Sequence, residues 1–234
     1  MSKMLAVCGA PACGKTTIML KLAQEIQAWK KTRVLCISPD LDVPSLSYIF
    51  PHRKSGELVS LGRLLDRTEI TPDDVLQHLQ TMKPFSDLGV LGYCSGDTRY
   101  SFPRVTKDKM ESFLNAAFSI APYILVDCAN GHDLFSEMLF RKSDHVVRLI
   151  VPDLKSMSYT PKEKSISVPV TVALNIPDRD LYLPIDDVKS RYGDVVQIPY
   201  SYALKQQGIL GTLSDPVPDN AFLTSMKVLS RRVV

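Results

Sequence analysis

The sequence predicts an α/β fold, a doubly wound and mostly parallel sheet with helices on both faces. Three observations carry this. Short apolar runs recur at residues 4–8, 34–37, 89–93, 123–127, 146–151, 168–174 and 195–198. Several are continuous Val/Ile/Leu stretches without polar alternation, the pattern of strands covered on both faces. Segments with apolar residues at helical spacing lie between them, and short connections in β-α-β order favour parallel pairing. The length of 234 residues fits one domain spanning the chain, with no repeat, low-complexity tract or long linker to divide it.

The first run, residues 4–8, reads as a buried strand, and residues 17–29 read as a helix with Met19, Leu22, Ala23 and Ile26 on one face. Between them stands Gly9-Ala10-Pro11-Ala12-Cys13-Gly14-Lys15-Thr16, which fits G-x-x-x-x-G-K-[ST]. A strand, a glycine-bounded loop and a helix N-terminus together form an anion trap. Backbone N–H groups point into one concavity and the helix dipole favours negative charge there. Lys15 is placed to reach β- and γ-phosphates, and the Thr16 hydroxyl to ligate Mg²⁺. The expected ligand is a nucleoside triphosphate.

The second strand, 34–37, runs into Ser38-Pro39-Asp40-Leu41-Asp42 and an irregular stretch to residue 56. Ligands of open α/β sheets sit beyond the carboxyl ends of the strands, so this stretch can overhang the site. Asp40 or Asp42 can orient an attacking water or assist a metal, or simply stabilise a turn. Thr71-Pro72-Asp73-Asp74 supplies an N-cap, a proline at the first helical position and acidic residues in the first turn. After the run 89–93, Thr106 caps a helix with Met110, Phe113, Leu114, Ala117 and Phe118 in a stripe.

The run 123–127 ends at Asp127. A carboxylate closing a dry apolar strand is costly unless paired or liganded, which makes Asp127 a candidate Mg²⁺ carboxylate. Gly131 completes Asp-x-x-x-Gly, where a glycine lets a backbone N–H approach a γ-phosphate. A helix is expected over 133–141, a strand over 146–151, and an irregular Ser-, Lys- and Pro-enriched stretch over 153–167. Asn175 ends the strand 168–174, where its amide can read a purine edge. Asn175-Ile176-Pro177-Asp178 lacks the lysine of the guanine-reading Asn-Lys-x-Asp pattern. Helices over 185–192 and 219–232 flank the last strand, 195–198.

Composition excludes little. Hydrophobic residues at 45% and charged residues at 23% are ordinary for a globular chain, and a net charge of +3 does not by itself argue for nucleic acid. Of the five cysteines, Cys8, Cys36, Cys94 and Cys128 fall in or beside apolar runs, and none has zinc-like spacing. Cys13 is expected to be a tolerated small residue of the loop rather than a redox switch. The apolar stretches are strand-sized and no signal peptide stands out, so a cytoplasmic compartment is expected.

In this order and spacing, the motifs resemble the ParA/MinD group of P-loop ATPases, which includes the TadZ/CpaE-type pilus-localisation proteins. The resemblance covers nearly the whole chain. It rests on the loop ending Gly14-Lys15-Thr16-Thr17, the acidic segment after the second strand, and Asp127-Cys128-Ala129-Asn130-Gly131, which is similar to the family's Asp-Thr-Pro-Pro-Gly. Val151-Pro152-Asp153, Asn175 and Ile198-Pro199-Tyr200 before a helix also fit. The resemblance implies ATP and ADP as ligands with Mg²⁺, held by Gly9, Ala12, Cys13, Gly14, Lys15, Thr16, Thr17, Gly131, Asn175 and Pro199. Lys15, Asp40 and Asp127 would be the catalytic set, Asp40 positioning water, and Thr16 and Asp127 the metal ligands. Asn175 would read adenine.

The family also implies a face-to-face homodimer around two ATP molecules, with nucleotide state choosing between protein, DNA or membrane partners. Two departures are plain. The family's extra loop lysine, which reaches the other subunit's phosphates, is replaced by Ala10, and its two glycines by Pro11 and Ala12. The first acidic position after the second strand is Ser38. Losing one transition-state stabiliser is worth a few kcal/mol, so a nucleotide-binding scaffold with little hydrolysis is an alternative. A small-molecule kinase or ATP-dependent ligase is another, with Arg99, Tyr100 and Arg104 as anchors. For membrane contact, Phe222, Met226, Leu229 and Val233 form an apolar stripe beside Lys227, Arg231 and Arg232; packing of that helix on the sheet is the favoured expectation. The clusters Lys30, Lys31, Arg33 and Lys155, Lys162, Lys164 are expected to be solvated faces rather than DNA contacts.

Overall fold

The structure, a computed structural model, describes residues 2–129, 134–159, 167–179 and 185–234. Along the chain the elements are β1 (Lys3–Gly9), α1 (Lys15–Lys30), β2 (Val34–Ser38), α2 (Leu46–Ile49), α3 (Leu61–Leu65), α4 (Pro72–His78), β3 (Gln80–Met82), β4 (Phe85–Gly92), α5 (Lys107–Ile120), β5 (Tyr123–Asp127), α6 (Leu134–Arg141), β6 (His145–Ile150), α7 (Leu154–Ser158), β7 (Val170–Asn175), α8 (Ile185–Tyr192), β8 (Val195–Ile198), α9 (Tyr202–Leu210) and α10 (Asn220–Val233). The strands form one eight-stranded sheet in the order β3-β4-β2-β5-β1-β6-β7-β8. Every pairing is parallel except β3 with β4. The chain leaves β1 toward β2 on one side and later builds β6, β7 and β8 on the other. The crevice at the carboxyl end of β1 is therefore the switch point where such sheets hold ligands.

The doubly covered sheet follows from the continuous apolar runs. Along β1, Leu5 and Val7 point into one core, while Met4, Ala6 and Cys8 point into the other. The first core is closed by Ile18, Met19, Leu22 and Ile26 of α1 with Phe222, Met226, Leu229 and Val233 of α10. The second is closed by Leu61, Leu64, Val75, Phe113, Leu114, Phe135 and Leu139 from α3 to α6. The stripe of α10 is thus spent on the sheet, and no helix among the described residues is long and apolar enough to cross a membrane.

Local signals set the helix starts. Thr71 and Asp74 form a reciprocal capping box on α4, and the Thr106 hydroxyl accepts from the Lys109 N–H at the start of α5. The run 89–93 proves to be the end of a longer strand, since β4 begins at Phe85 with exposed Ser86 and Asp87 that carry no apolar signal. The edge strand β3, short and reversed across a cis Lys83–Pro84 bond, has too few residues for a periodic pattern. Short helices α2 and α7 interrupt the two stretches expected to be irregular. Asp133, expected to begin a helix, lies outside the described residues, as do Lys162 and Lys164.

Candidate functional site

The loop 10–14 joins β1 to α1 at the switch point. Gly9 is obligatory there, because a Cβ would lie 2.4 Å from the Leu149 carbonyl oxygen on β6 and 2.6 Å from the Cys13 sulfur. Ala12 (φ 65) and Gly14 (φ 92) both adopt the left-handed region, folding the backbone into a concave nest. Gly14 sits at the N-cap of α1 without any side-chain cap on the helix, so the positive end of the dipole faces the loop. Lys15 is buried, and its Nζ donates to the Ala10 carbonyl at 3.4 Å, a long bond that holds the ammonium over the loop. Burial pushes the Cys13 thiol above its ordinary range despite the neighbouring Lys15, which keeps it protonated and unreactive.

Parallel register places Asp127 beside this loop, since Val7 of β1 pairs with Asp127 of β5. Asp127 is 4% exposed. Its Oδ2 accepts from the Thr16 hydroxyl and from Ser38 Oγ at 3.2 Å, while its Oδ1 is buried with no partner. Burial raises its pKa to about 6; Thr16, Lys15 and Ser38 pull it back down, and Asp40 pushes it up. A buried carboxylate with an orphaned oxygen is expensive by itself. Beside a threonine hydroxyl it supplies the oxygen donors that a hard divalent cation takes, so the residues fit Mg²⁺ and phosphate.

The other expected site residues fall around this centre in different ways. Asp40 lies close enough for its charge to act on Asp127, but its Oδ1 accepts from the backbone N–H groups of Asp42 (2.9 Å) and Val43 (3.0 Å). In this state its carboxylate organises its own turn. Asn175, at the end of β7, donates from Nδ2 to the Cys13 carbonyl at 3.0 Å, bracing the loop from the β7 side. Pro199 follows β8, and the next residue, Tyr200, lies between Arg179 (6.0 Å) and Lys205 (5.8 Å). Thr17 is half-buried in the first turn of α1. Gly131 lies outside the described residues.

Two residues of the site had no assigned role in the sequence. Ser38, noted only as a departure from an acidic position, hydrogen-bonds Asp127. Tyr48, on α2, reaches back to the Thr16 side chain, which draws its pKa down, while burial, the larger effect, raises it beyond the ordinary tyrosine range. No local motif marks Tyr48; only the docking of α2 on the end of β4 brings it there. Gly92 permits that docking, since a Cβ would stand 2.7 Å from Ser45 Oγ.

A strand, a nest and a helix N-terminus beside a buried aspartate, at the switch point of a doubly wound sheet, define a P-loop nucleotide-binding fold. The same fold is found in solved ParA/MinD ATPases. The chain is similar to MinD from Pyrococcus horikoshii OT3, solved with Mg-ADP, at TM-score 0.75 and 16% identity over 100% of this chain and 96% of that one. It is also similar to a ParA family ATPase from Chlorobium tepidum TLS, at TM-score 0.74 and 16% identity over 98% of each chain. A putative plasmid partition protein from Borrelia burgdorferi B31, bound to AMPPNP, aligns at TM-score 0.71 and 13% identity over 98% and 97%. No protein-family model and no curated protein matches the chain.

Proposed function

We propose that the chain binds ATP with Mg²⁺ at the phosphate loop and that nucleotide state switches a face-to-face homodimer which positions or assembles a protein partner. The observation that carries the nucleotide reading is the orphaned, buried Oδ1 of Asp127 beside Thr16, at the mouth of an uncapped helix. Gly9, Ala12, Cys13, Gly14 and Thr17 would wrap the phosphates with backbone N–H groups. Lys15 would leave the Ala10 carbonyl for the β- and γ-phosphate oxygens, and Asn175 and Pro199 would border the base. Thr16 and Asp127 would hold Mg²⁺, which when bound neutralises phosphate charge. In the hydrolytic step water attacks the γ-phosphorus, the bond to the β–γ bridging oxygen breaks, and ADP and phosphate leave. Asp40 would orient that water after releasing its turn.

The dimer reading is supported by the placement of exposed apolar side chains. Val43, Tyr100, Leu134, Leu154 and Tyr202 are all exposed, and each follows the carboxyl end of a strand, the edge that carries the phosphate loop. A partner covering that edge would bury them together with the nucleotide. The MinC:MinD cell division complex of Aquifex aeolicus, to whose MinD fold this chain is similar (TM-score 0.74, 16% identity), supports a protein partner.

A second reading is favoured by Ala10 and by the engaged Asp40 carboxylate: a chain that holds ATP for structure and turns it over little. Measuring ATP turnover with Mg²⁺ for wild type and Lys15→Ala, alongside light-scattering mass with and without ATP, separates the two. Turnover lost in the variant and mass doubled by ATP support the switch. ATP binding with background turnover and unchanged mass supports the scaffold.

A further inference from the structure

Next to the nucleotide site, on the β4 side, lies a cavity of about 730 Å³ whose walls come from separate segments of the chain. Asp40, Leu41 and Asp42 follow β2, Tyr93 and residues 98–100 and 102–105 follow β4, and Ala129, Leu134 and Phe135 follow β5. Its size lies within the range of small-molecule pockets, and its lining has their character, mainly aromatic and apolar with a few polar groups.

The wall formed by residues 94–105 is a built structure. At its base, Asp97 Oδ2 accepts from the Cys94 N–H at 2.7 Å and from the Ser60 hydroxyl at 2.6 Å, which pins the loop to the start of α3. At its far side, Phe102 stacks on Tyr93 with centroids 6.4 Å apart. Phe102 also packs against α3, where a Cβ on Gly62 would come within 2.2 Å of the ring. Thr98 and Ser101 close the tip, with the Thr98 N–H donating to Ser101 Oγ at 3.0 Å. The charges on the rim are unequal in their partners. Arg99 faces Asp42 at 3.7 Å across solvent, a weak pair. Arg104 forms no ion pair among the described residues. A guanidinium without a carboxylate, at the mouth of an aromatic cleft, selects an anion carried on a flat apolar body.

We infer that this cavity binds a small organic anion, a flat apolar group bearing a carboxylate, sulfonate or phosphate, with the apolar body between Phe102, Tyr100 and Leu134 and the anion on Arg104. The site borders the nucleotide site through Asp40 but contains no residue of the phosphate loop, and it does not require ATP binding there. Titration of the full chain with 1-anilinonaphthalene-8-sulfonate, followed by its fluorescence, tests this. The expected result is one saturable site, weakened about ten-fold or more in Arg104→Ala and weakened in Tyr100→Ala. Both side chains are exposed, so thermal midpoints should stay at the wild-type value. Affinity should be unchanged in Lys15→Ala and in Trp29→Ala, an exposed aromatic on α1 outside this lining. The inference is overturned by no saturable binding, by equal affinity in Arg104→Ala, or by a loss in Trp29→Ala as large as in Tyr100→Ala. Loss in Lys15→Ala would place the probe on the phosphate loop and also overturn it. Lys15→Ala separately loses ATP if the nucleotide reading is right, so the two readings fail independently.

Discussion

Ala12 occupies a backbone conformation that costs an L-residue roughly 1–2 kcal/mol, at the tip of the loop expected to hold phosphate. Replacing it with glycine relieves that strain but loosens the unfolded chain. Ala12→Gly should therefore stabilise by roughly 0.5–1 kcal/mol, read as a higher denaturant midpoint at unchanged slope. Asp127 stores a larger imbalance, a buried carboxylate with one oxygen unpartnered. Asp127→Asn keeps an acceptor for Thr16 and Ser38 while removing the charge. It should stabilise the nucleotide-free chain by about 1–2 kcal/mol and abolish Mg²⁺-dependent tightening of ATP. Thermal melts with and without Mg-ATP check both, and a destabilised variant with intact Mg²⁺ dependence would refute the assignment. These two residues also differ in legibility. Asp127 was visible as a charge ending an apolar run, whereas the left-handed turn at Ala12 was masked because nothing in an alanine announces positive φ.

At the scale of elements, α1 holds more than the phosphate loop. Lys21 is buried on it and donates from Nζ to the carbonyls of Leu213 (2.8 Å) and Asp215 (2.7 Å), while Gln24 donates to the Ser214 carbonyl at 3.0 Å. Gln207 of α9 donates to the Pro216 carbonyl at 2.9 Å, so the turn between α9 and α10 is gripped from both sides. Burial lowers the Lys21 pKa to about 7, with Asp215 pulling it upward, against 10.5 for an ordinary lysine. The folded chain thus releases this proton near 7 while the unfolded chain keeps it, and unfolding takes up a proton between those values. Stability contributed by this site therefore rises with pH across that window. Lys21→Met should lose this rise and be destabilised by roughly 1–3 kcal/mol, because two buried carbonyls lose their donor. Melts from pH 7 to 10 compare the slopes; parallel curves would contradict the account. The capped helices α4 and α5 were legible from Thr71 and Thr106, because capping is chemistry of adjacent residues. Helix α2 was not, since it exists through packing on the distant β4, nor was strand β3, which is too short for a periodic pattern.

For the whole molecule, the mostly parallel sheet and its two apolar layers could be read from the alternation of runs, because a parallel sheet needs crossovers and both faces covered, whereas the spatial order of the strands could not. Tyr48 escaped that reading, lying far in sequence from the Thr16 it touches. The apolar stripe of α10, open to either lipid or core in the sequence, is buried against α1 and the sheet. Five of the exposed large apolar side chains, Val43, Tyr100, Leu134, Leu154 and Tyr202, lie at the edge that carries the phosphate loop. Leu154→Asp and Tyr202→Asp should still bind ATP, weakened only as far as dimer formation tightens it, and shift the ATP-bound mass toward the monomer in light scattering. Variants that dimerise like wild type would remove that edge from the interface.

The measurement closest to the central claim is a titration of ATP with Mg²⁺ into wild type and Lys15→Ala by calorimetry. The account predicts one site per chain, weakened in the variant by about ten-fold to a hundred-fold as a charged hydrogen-bond donor is lost. Equal affinity in the two proteins, or no binding to wild type, would contradict it.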